Sequence, residues 1–387
     1  MDTHPAVVIS NRAKKRLKGK HPWIFSNEIA EKQDLPAGEI VEIRDDEGHR
    51  IATGYFNPHT LIAVRILSYH QEFDLRKRIA DALEFRKQHY DTQVYRWVYG
   101  ESDGLPGLIV DRYSQTLVVQ ILTAGMEKFR NEIIENLVEL GSPDRILFRN
   151  DSSYRSLEGL SQGVEWVYGS PLNQEVIELD SLKFEVNYTE GQKTGFFLDQ
   201  QTNRRRLCKY AHGERMLDVF SYSGGWSIYG AQAGLREITA VDSSADALKS
   251  AARNAELNHF TLNCIEQDAF QFLRQAYSSN ERYDVIVLDP PAFCKSKRQL
   301  VEAVRGYREI NLRAMKLLNR DGLLFTCSCS QPVTPELFVD VLRQAAADSG
   351  RTFRLLELLL HPLDHPVLLH FPESLYLKCA ILQVSSL

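Results

Sequence analysis

From about residue 212 the sequence alternates short apolar runs with amphipathic stretches, and this rhythm restricts the fold more than any other feature of the chain. The apolar runs are MLDVF, EITAVD, TLNCIEQD, YDVIVLDPP, GLLFTCS, FRLLELLL and YLKCAILQV. Between them, helical periodicity predicts helices over 227–233, 245–257, 268–277, 299–318 and 335–348. Strand and helix in turn imply a mostly parallel sheet covered on both faces, an α/β architecture, with the last strand antiparallel at the edge. Sheets of this kind take ligands at the carboxyl ends of their strands.

Those ends carry a series of acids. MLDVFSYSGG, Met216 to Gly225, contains Asp218 and passes into Phe220, Ser221, Tyr222, Ser223 and Gly224, a Ser/Gly loop whose backbone admits a close ligand. Asp242 with Ser243, Asp268 with Ala269, and Asp289 follow at the next three strand ends. Each acid alone is an ordinary helix N-cap. Four in succession make a candidate ligand face, with Asp242 suited to two ribose hydroxyls and Asp268 to an adenine amino group. The loop lacks GxGxxG, and no Gly-rich phosphate cradle with Lys-Ser/Thr is present. An adenosine with a zwitterionic amino-acid tail fits better, which points to S-adenosylmethionine.

Asp289 opens DPPAFCKSK. Pro290 and Pro291 remove backbone donors and stiffen the strand exit, or simply end the strand. Phe293 offers a flat surface for a nucleobase, and Lys295, Lys297 and Arg298 suit phosphates. The next strand ends in FTCSCS. A thiolate that adds to C6 of cytosine makes C5 nucleophilic enough to accept a methyl group, while Asp289 holds and protonates the N3 edge. Cys329, Cys327 and Cys294 compete for this role, and small core residues are the competing reading. Strand alternation cannot separate Cys327 from Cys329. Cys329 ranks first because it lies furthest beyond the strand.

The N-terminal part has a different texture. Residues 12–20, RAKKRLKGK, hold six basic side chains in nine positions, read either as a solvated basic turn or as a phosphate-contacting patch with Lys14, Lys15 and Arg16. Short strands over 39–69 suggest a small β barrel or meander, giving a first domain at 1–72. A helix over 74–90, a hairpin in LIVDRYSQTLVVQIL, a helix over 126–140 and further strands suggest a central α+β domain with antiparallel pairing at 73–188. The third domain is 189–387. Hydrophobic content of 43%, charged content of 25% and a net charge of −5 are those of a globular protein and neither announce nor exclude nucleic-acid binding. No signal segment or bilayer-length apolar run is seen, so a cytoplasmic protein without membrane contact is expected. The six cysteines show no CxxC or Cys/His spacing, and no metal site is expected.

Six segments together resemble a known family: RAKKRLKGKHPWIFSNEI at 12–29, GESDGLPGLIVDRY at 100–113, GQKTGFFLDQQTNR at 191–204, DVFSYSGGWSIYGAQAG at 218–234, VLDPPAFCKSK at 287–297 and FTCSCS at 325–330. The chain resembles, over essentially its full length, the bacterial 23S ribosomal RNA cytosine-5 methyltransferases that carry an N-terminal PUA domain. The resemblance implies a PUA β barrel, a central α+β domain and a C-terminal Rossmann-like class I methyltransferase that uses S-adenosylmethionine. It implies that Phe197, Asp199 and Gln200 cover the methionine part of the cofactor, with Arg204 nearby. The residues themselves read only as a linker there. It places the nucleophile on Cys329 and the acid on Asp289, and implies a homodimer acting on naked or partly assembled 23S RNA. Cys294 is displaced from the position of the second cysteine that aids product release in related enzymes. Two alternatives stay open: methylation of a guanine exocyclic nitrogen, which needs no thiol, and an inactive RNA-binding assembly protein.

Overall fold

The computed structural model describes residues 4–31, 34–69, 72–188 and 195–385. The chain forms two compact units: Met1–Ile177 with Val186–Leu198 and Leu363–Ser374, and Glu178–Glu185 with Asp199–Pro362 and Leu375–Leu387. Among the described residues, no helix is long and apolar enough to cross a membrane.

The first unit contains a five-stranded sheet in the order Ala6–Val8, Glu39–Arg44, Arg50–Phe56, Ile62–Ser68, Trp23–Phe25. Alternating residues such as Val41, Ile43 and Val64 fill its core. The turn after Glu39–Arg44 is fixed by Asp45, whose Oδ1 accepts the N–H groups of Glu47 (3.1 Å) and His49 (2.8 Å). The basic stretch is not a turn but a helix, Asn11–Lys18, capped by Ser10. Ala13 and Leu17, four residues apart, are its buried positions, and six surrounding charges hid that short apolar stripe from a periodicity reading.

A second five-stranded sheet runs Val164–Tyr168, Arg145–Arg149, Thr116–Ile121, Leu108–Tyr113, Val94–Tyr99. Its pairing is mixed: Thr116–Ile121 and Arg145–Arg149 are parallel, since the chain between them makes a helical crossover. The expected single helix there is two, Ala124–Glu127 and Arg130–Gly141. The two sheets share apolar packing, because Tyr55 and Leu67 join the core around Trp97, Leu108 and Val110. Tyr55 also donates to Pro106 O and contacts Thr123 Oγ1, both at 2.8 Å. Leu363–Ser374, sequentially part of the C-terminal region, belongs to this unit. Buried Arg86 pairs with Asp103 and donates to Asp364 O (2.8 Å), while Asp364 Oδ2 accepts the N–H of Arg96 (2.9 Å).

In the second unit the strands are β1 (Arg215–Val219), β2 (Glu237–Asp242), β3 (Asn263–Glu266), β4 (Tyr283–Leu288), β5 (Leu318–Ser328), β6 (Thr352–Leu359) and β7 (Lys378–Ser385). They form one sheet in the order β3-β2-β1-β4-β5-β7-β6. The first five are parallel, and β7 is antiparallel to both neighbours. The last strand therefore lies inside the sheet, and β6 takes the edge. Burial explains the exchange: β7 is buried almost throughout, whereas Leu355 and Leu358 of β6 face solvent.

The helices are α1 (Gln201–Tyr210), α2 (Gly225–Gln232), α3 (Ala245–Leu257), α4 (Ala269–Ser278), α5 (Leu300–Leu317) and α6 (Pro335–Ser349). All but α1 follow the sequence periodicity within about two residues. The inward face of α1 presents Gln201, Asn203 and Arg204 beside Leu207, so it has little apolar stripe to read.

Packing of the two sheets in the first unit makes Gly125 intolerant of a side chain, since a Cβ there would stand 2.0 Å from Tyr55 Cγ. We expect Gly125→Ala to lower unfolding free energy by about 1–3 kcal/mol. Denaturant titration checks this, and an unchanged midpoint would contradict the packing.

Candidate functional site

The site of the second unit grows from the end of β1, the middle one of the five parallel strands. Phe220 (φ 64°) and Tyr222 (φ 47°) both adopt left-handed backbone, a conformation that costs a non-glycine residue on the order of 1 kcal/mol or more. Hydrogen bonds hold it: Ser221 N–H to Val241 O (3.1 Å), Tyr222 N–H to Asp242 Oδ2 (2.9 Å) and Asn254 Nδ2–H to Ser223 O (2.9 Å). Gly224 (φ 74°) is required twice, by its backbone and by α3, because a Cβ would stand 2.9 Å from that of Ala251. Gly225 leaves room for the Arg204 guanidinium, whose Cζ a Cβ would approach to 2.8 Å.

Asp218 lies beneath this loop, fully buried. Its Oδ2 accepts the N–H (3.0 Å) and hydroxyl (2.7 Å) of Ser227, which ties β1 to the first turn of α2. Burial pushes its pKa up to about 7, and Asp289 adds to that while Ser227 opposes it. Asp242 also fixes structure, since its Oδ1 accepts the N–H of Ser244 (2.9 Å). It remains half-buried, and Ser243 beside it is exposed. Asp268 is exposed and caps α4 through Gln271 N–H (3.0 Å), with Ala269 buried behind it. The acids therefore serve as loop and helix ties, while Asp242 and Asp268 keep surface that a ligand can reach.

Asp289 is the most heavily engaged. Oδ1 accepts Gln200 Nε2–H (2.7 Å) and Oδ2 accepts Trp226 Nε1–H (2.9 Å). Desolvation raises its pKa, opposed by Trp226 and Arg204. Gln200 is held in turn by Asn203 (2.7 Å), and Asp199 accepts the Tyr376 hydroxyl (2.5 Å). Arg204 is buried, and its pKa is lowered by desolvation against the pull of Asp289, Tyr229, Asp199 and Asp218. Phe197 is half-buried in the first unit, and Gly191 to Thr194 of the same segment lie outside the described residues.

The three candidate thiols separate clearly. Cys327 lies in β5, buried, with its sulfur 4.0 Å from Gln200 Oε1; burial and Cys379 hold its pKa well above the ordinary value. Cys294 is buried, its N–H on Ser330 Oγ (3.2 Å). Cys329 has left the strand, is half-buried and places its sulfur 3.6 Å from Pro290 O. The thiol and the Asp289–Pro290 corner thus meet. Phe293 is not an open platform: it packs on Tyr307 (ring centroids 4.6 Å apart), with Phe270 and Phe220 at 6.2 and 6.4 Å. Lys295, Lys297 and Arg298 are exposed.

In the first unit the basic helix is only partly available. Arg16 spans both carboxylate oxygens of buried Glu28 and donates to Trp23 O (2.8 Å). Lys14 pairs with Asp45 (2.7 Å), and that contact holds Asp45 down to about 2. Lys15 is exposed, as are Arg12 and Lys18. Charge counting could not foresee that Glu28 and Asp45 occupy two of the three expected phosphate ligands.

Sequence reasoning also missed Trp226, Tyr307, Tyr376 and Lys378. Lys378 left a signal, a lone cation in a mostly apolar last strand; the aromatic residues left none distinct from core residues.

S-adenosylmethionine fits the donor set on an observation of the loop itself. Asp218 Oδ1 and Ser221 Oγ are buried polar atoms with no hydrogen-bond partner among the described residues, as expected beside a polar ligand.

Comparison with known proteins agrees in fold and family. Residues 7–69 match the PUA-like domain family, and residues 152–369 match the family described as S-adenosylmethionine-dependent methyltransferase. The ribosomal RNA large subunit methyltransferase I of Tolumonas auensis is 40% identical over 387 residues, covering 96% of this chain and 97% of its own. That of Vibrio cholerae is 37% identical over 388 residues, covering 97% and 98%. A solved protein from Streptococcus mutans, described as an S-adenosylmethionine-dependent methyltransferase, is similar in fold with a TM-score of 0.83 at 20% identity, covering 98% of this chain and all of its own.

The buried Asp218 carboxyl has a measurable consequence. Its folded pKa of about 7 lies above the ordinary 3.8, so the folded state keeps a proton that the unfolded state releases on passing above pH 4. Its contribution to stability is complete below that pH, falls between pH 4 and 7, and levels off above. Asp218→Asn keeps the acceptor for Ser227 without the titration, so it should gain on the parent protein as pH rises from 4 to 7. Parallel stability curves in denaturant titrations across this range would contradict the assignment.

Proposed function

Because the chain belongs to the S-adenosylmethionine-dependent methyltransferases, among the ribosomal RNA large subunit methyltransferase I proteins, we propose that it methylates C5 of a cytosine in 23S ribosomal RNA through a covalent adduct on Cys329. The observation that carries this reading is the approach of Cys329 Sγ to Pro290 O at 3.6 Å, directly after Asp289, while the other two candidate thiols are buried. A methylated guanine nitrogen would give no use to that thiol.

When bound, S-adenosylmethionine supplies a methyl group on a sulfonium centre. The Phe220–Gly224 loop, Asp242 with Ser243 and Asp268 with Ala269 would hold its nucleoside, and Asp199 and Gln200 its amino-acid tail. The Cys329 thiolate adds to cytosine C6, and the electron pair displaced to C5 takes the methyl group. Removal of the C5 proton then restores the double bond and expels the thiolate. Asp289 serves the N3 edge, and the desolvation that raises its pKa favours the protonated carboxyl this requires. The Gln200 and Trp226 hydrogen bonds fix its direction.

RNA capture falls to the PUA-like domain, with Arg12, Lys15 and Lys18 as the phosphate contacts of the basic helix. Lys14 and Arg16 act instead through their internal ion pairs.

Cys329→Ala should lower methyl transfer by at least about a thousandfold, as for other nucleophile removals, while S-adenosylmethionine still binds. Methyl-transfer assays with calorimetric cofactor binding check this, and retained product formation would overturn the covalent route. Joint replacement of Lys15 and Lys18 by Ala should weaken RNA binding and lower the slope of log K against log salt by about 0.7–0.9 for each phosphate that is no longer neutralised. An unchanged slope would remove this helix from the RNA interface.

A further inference from the structure

Lys378 is the one charged residue of a mostly apolar strand and stands at its start, 1% exposed. Its Nζ donates to Ser330 O and Tyr376 O, both at 2.8 Å. The β5–β7 register sets Ser328 opposite Lys378 and Cys327 opposite Cys379. Lys378 therefore faces the residue before Cys329 along the ladder and grips, through its ammonium, the carbonyl of the residue after it. Two carbonyls use two of its three N–H groups; the third has no hydrogen-bond acceptor among the described residues.

An ammonium this deep needs an anionic or strongly polar neighbour. Burial lowers its pKa to about 8, while the Cys329 and Cys294 thiols pull it back up. The attraction is reciprocal: a site where a thiolate favours the ammonium is one where the ammonium favours the thiolate. Asp289, from the end of β4, is the carboxyl at the same corner, with its two oxygens held by Gln200 and Trp226. Tyr307, from α5, shares a hydrogen bond with Ser330 Oγ (2.9 Å), and burial pushes its pKa to about 12, so it stays neutral. Cys327, Cys379 and Cys294 are buried thiols, and Arg204 faces Asp289.

We propose that Lys378 is a positioning residue for Cys329, fixing the turn after β5 through the Ser330 carbonyl and favouring the Cys329 thiolate by its charge. This rests on the covalent reading of Cys329. An uncharged side chain in its place would remove that support and slow the attack on C6.

The test is the pH dependence of Cys329 alkylation by iodoacetamide in the full-length protein, followed by mass spectrometry of the Cys329 peptide. Lys378→Met should move the midpoint up by about one pH unit or more, with roughly tenfold slower modification at pH 7, and Lys378→Arg should restore most of the reactivity. Lys378→Gln, which keeps a donor for Ser330 O without the charge, should behave like Met, and it stands in if Met fails to fold. An unchanged midpoint in a folded neutral variant would overturn the proposal and leave the covalent route standing. Methyl transfer by Cys329→Ala would overturn the covalent route without altering the alkylation result.

Discussion

The organisation of the catalytic unit depends on a buried cation among acids. Arg204 is carried by α1 into an interior lined by Asp289, Asp199 and Asp218, where charge removed from water must be matched locally. Much of the site follows from this need. Gly225 has no side chain because the guanidinium lies against its Cα. Gln200 and Trp226 occupy both oxygens of Asp289, so the carboxyl cannot swing. Asp218, the deepest of the acids, anchors the strained Ser/Gly loop to α2 through Ser227. The loop keeps its two left-handed non-glycine residues because hydrogen bonds from β2 and α3 over-determine it.

The alternation after residue 212 made the sheet and five of its six flanking helices legible, because each buries a distinct apolar face. The parts that were not legible share a cause. Helix α1 turns polar residues inward, and β7 lies inside the sheet although it comes last, so neither obeys the rule that periodicity assumes. The acid series was legible as a set of positions but not as a division of labour. Asp218 turned out to be a tie under the loop, Asp268 a helix cap, and Asp289 the centre of a hydrogen-bond network. Phe293 reads as an open aromatic surface until its packing against Tyr307, Phe270 and Phe220 is seen, which leaves it half-buried.

The order of the cysteines along the chain carries over into their surroundings, since Cys329 was expected to lie beyond the strand. The strand ends at Ser328, Cys327 is packed against Gln200 and Cys379, and the chain carries Cys329 to the Asp289–Pro290 corner. The basic helix shows the opposite. Its charge density was plain, yet which charges are free depended on Glu28 and Asp45, residues that only the fold brings to it.

Addition of Cys329 to a cytosine at this corner can be tested by trapping the adduct. A 23S RNA fragment containing 5-fluorocytidine is incubated with the protein and S-adenosylmethionine, and the product is digested for mass spectrometry. After methyl transfer the fluorine cannot leave C5 as a proton does, so a stable link between RNA and the Cys329 peptide is predicted. No adduct from an RNA whose unmodified form is methylated, or a methyl group found on a guanine nitrogen, would contradict the covalent cytosine mechanism.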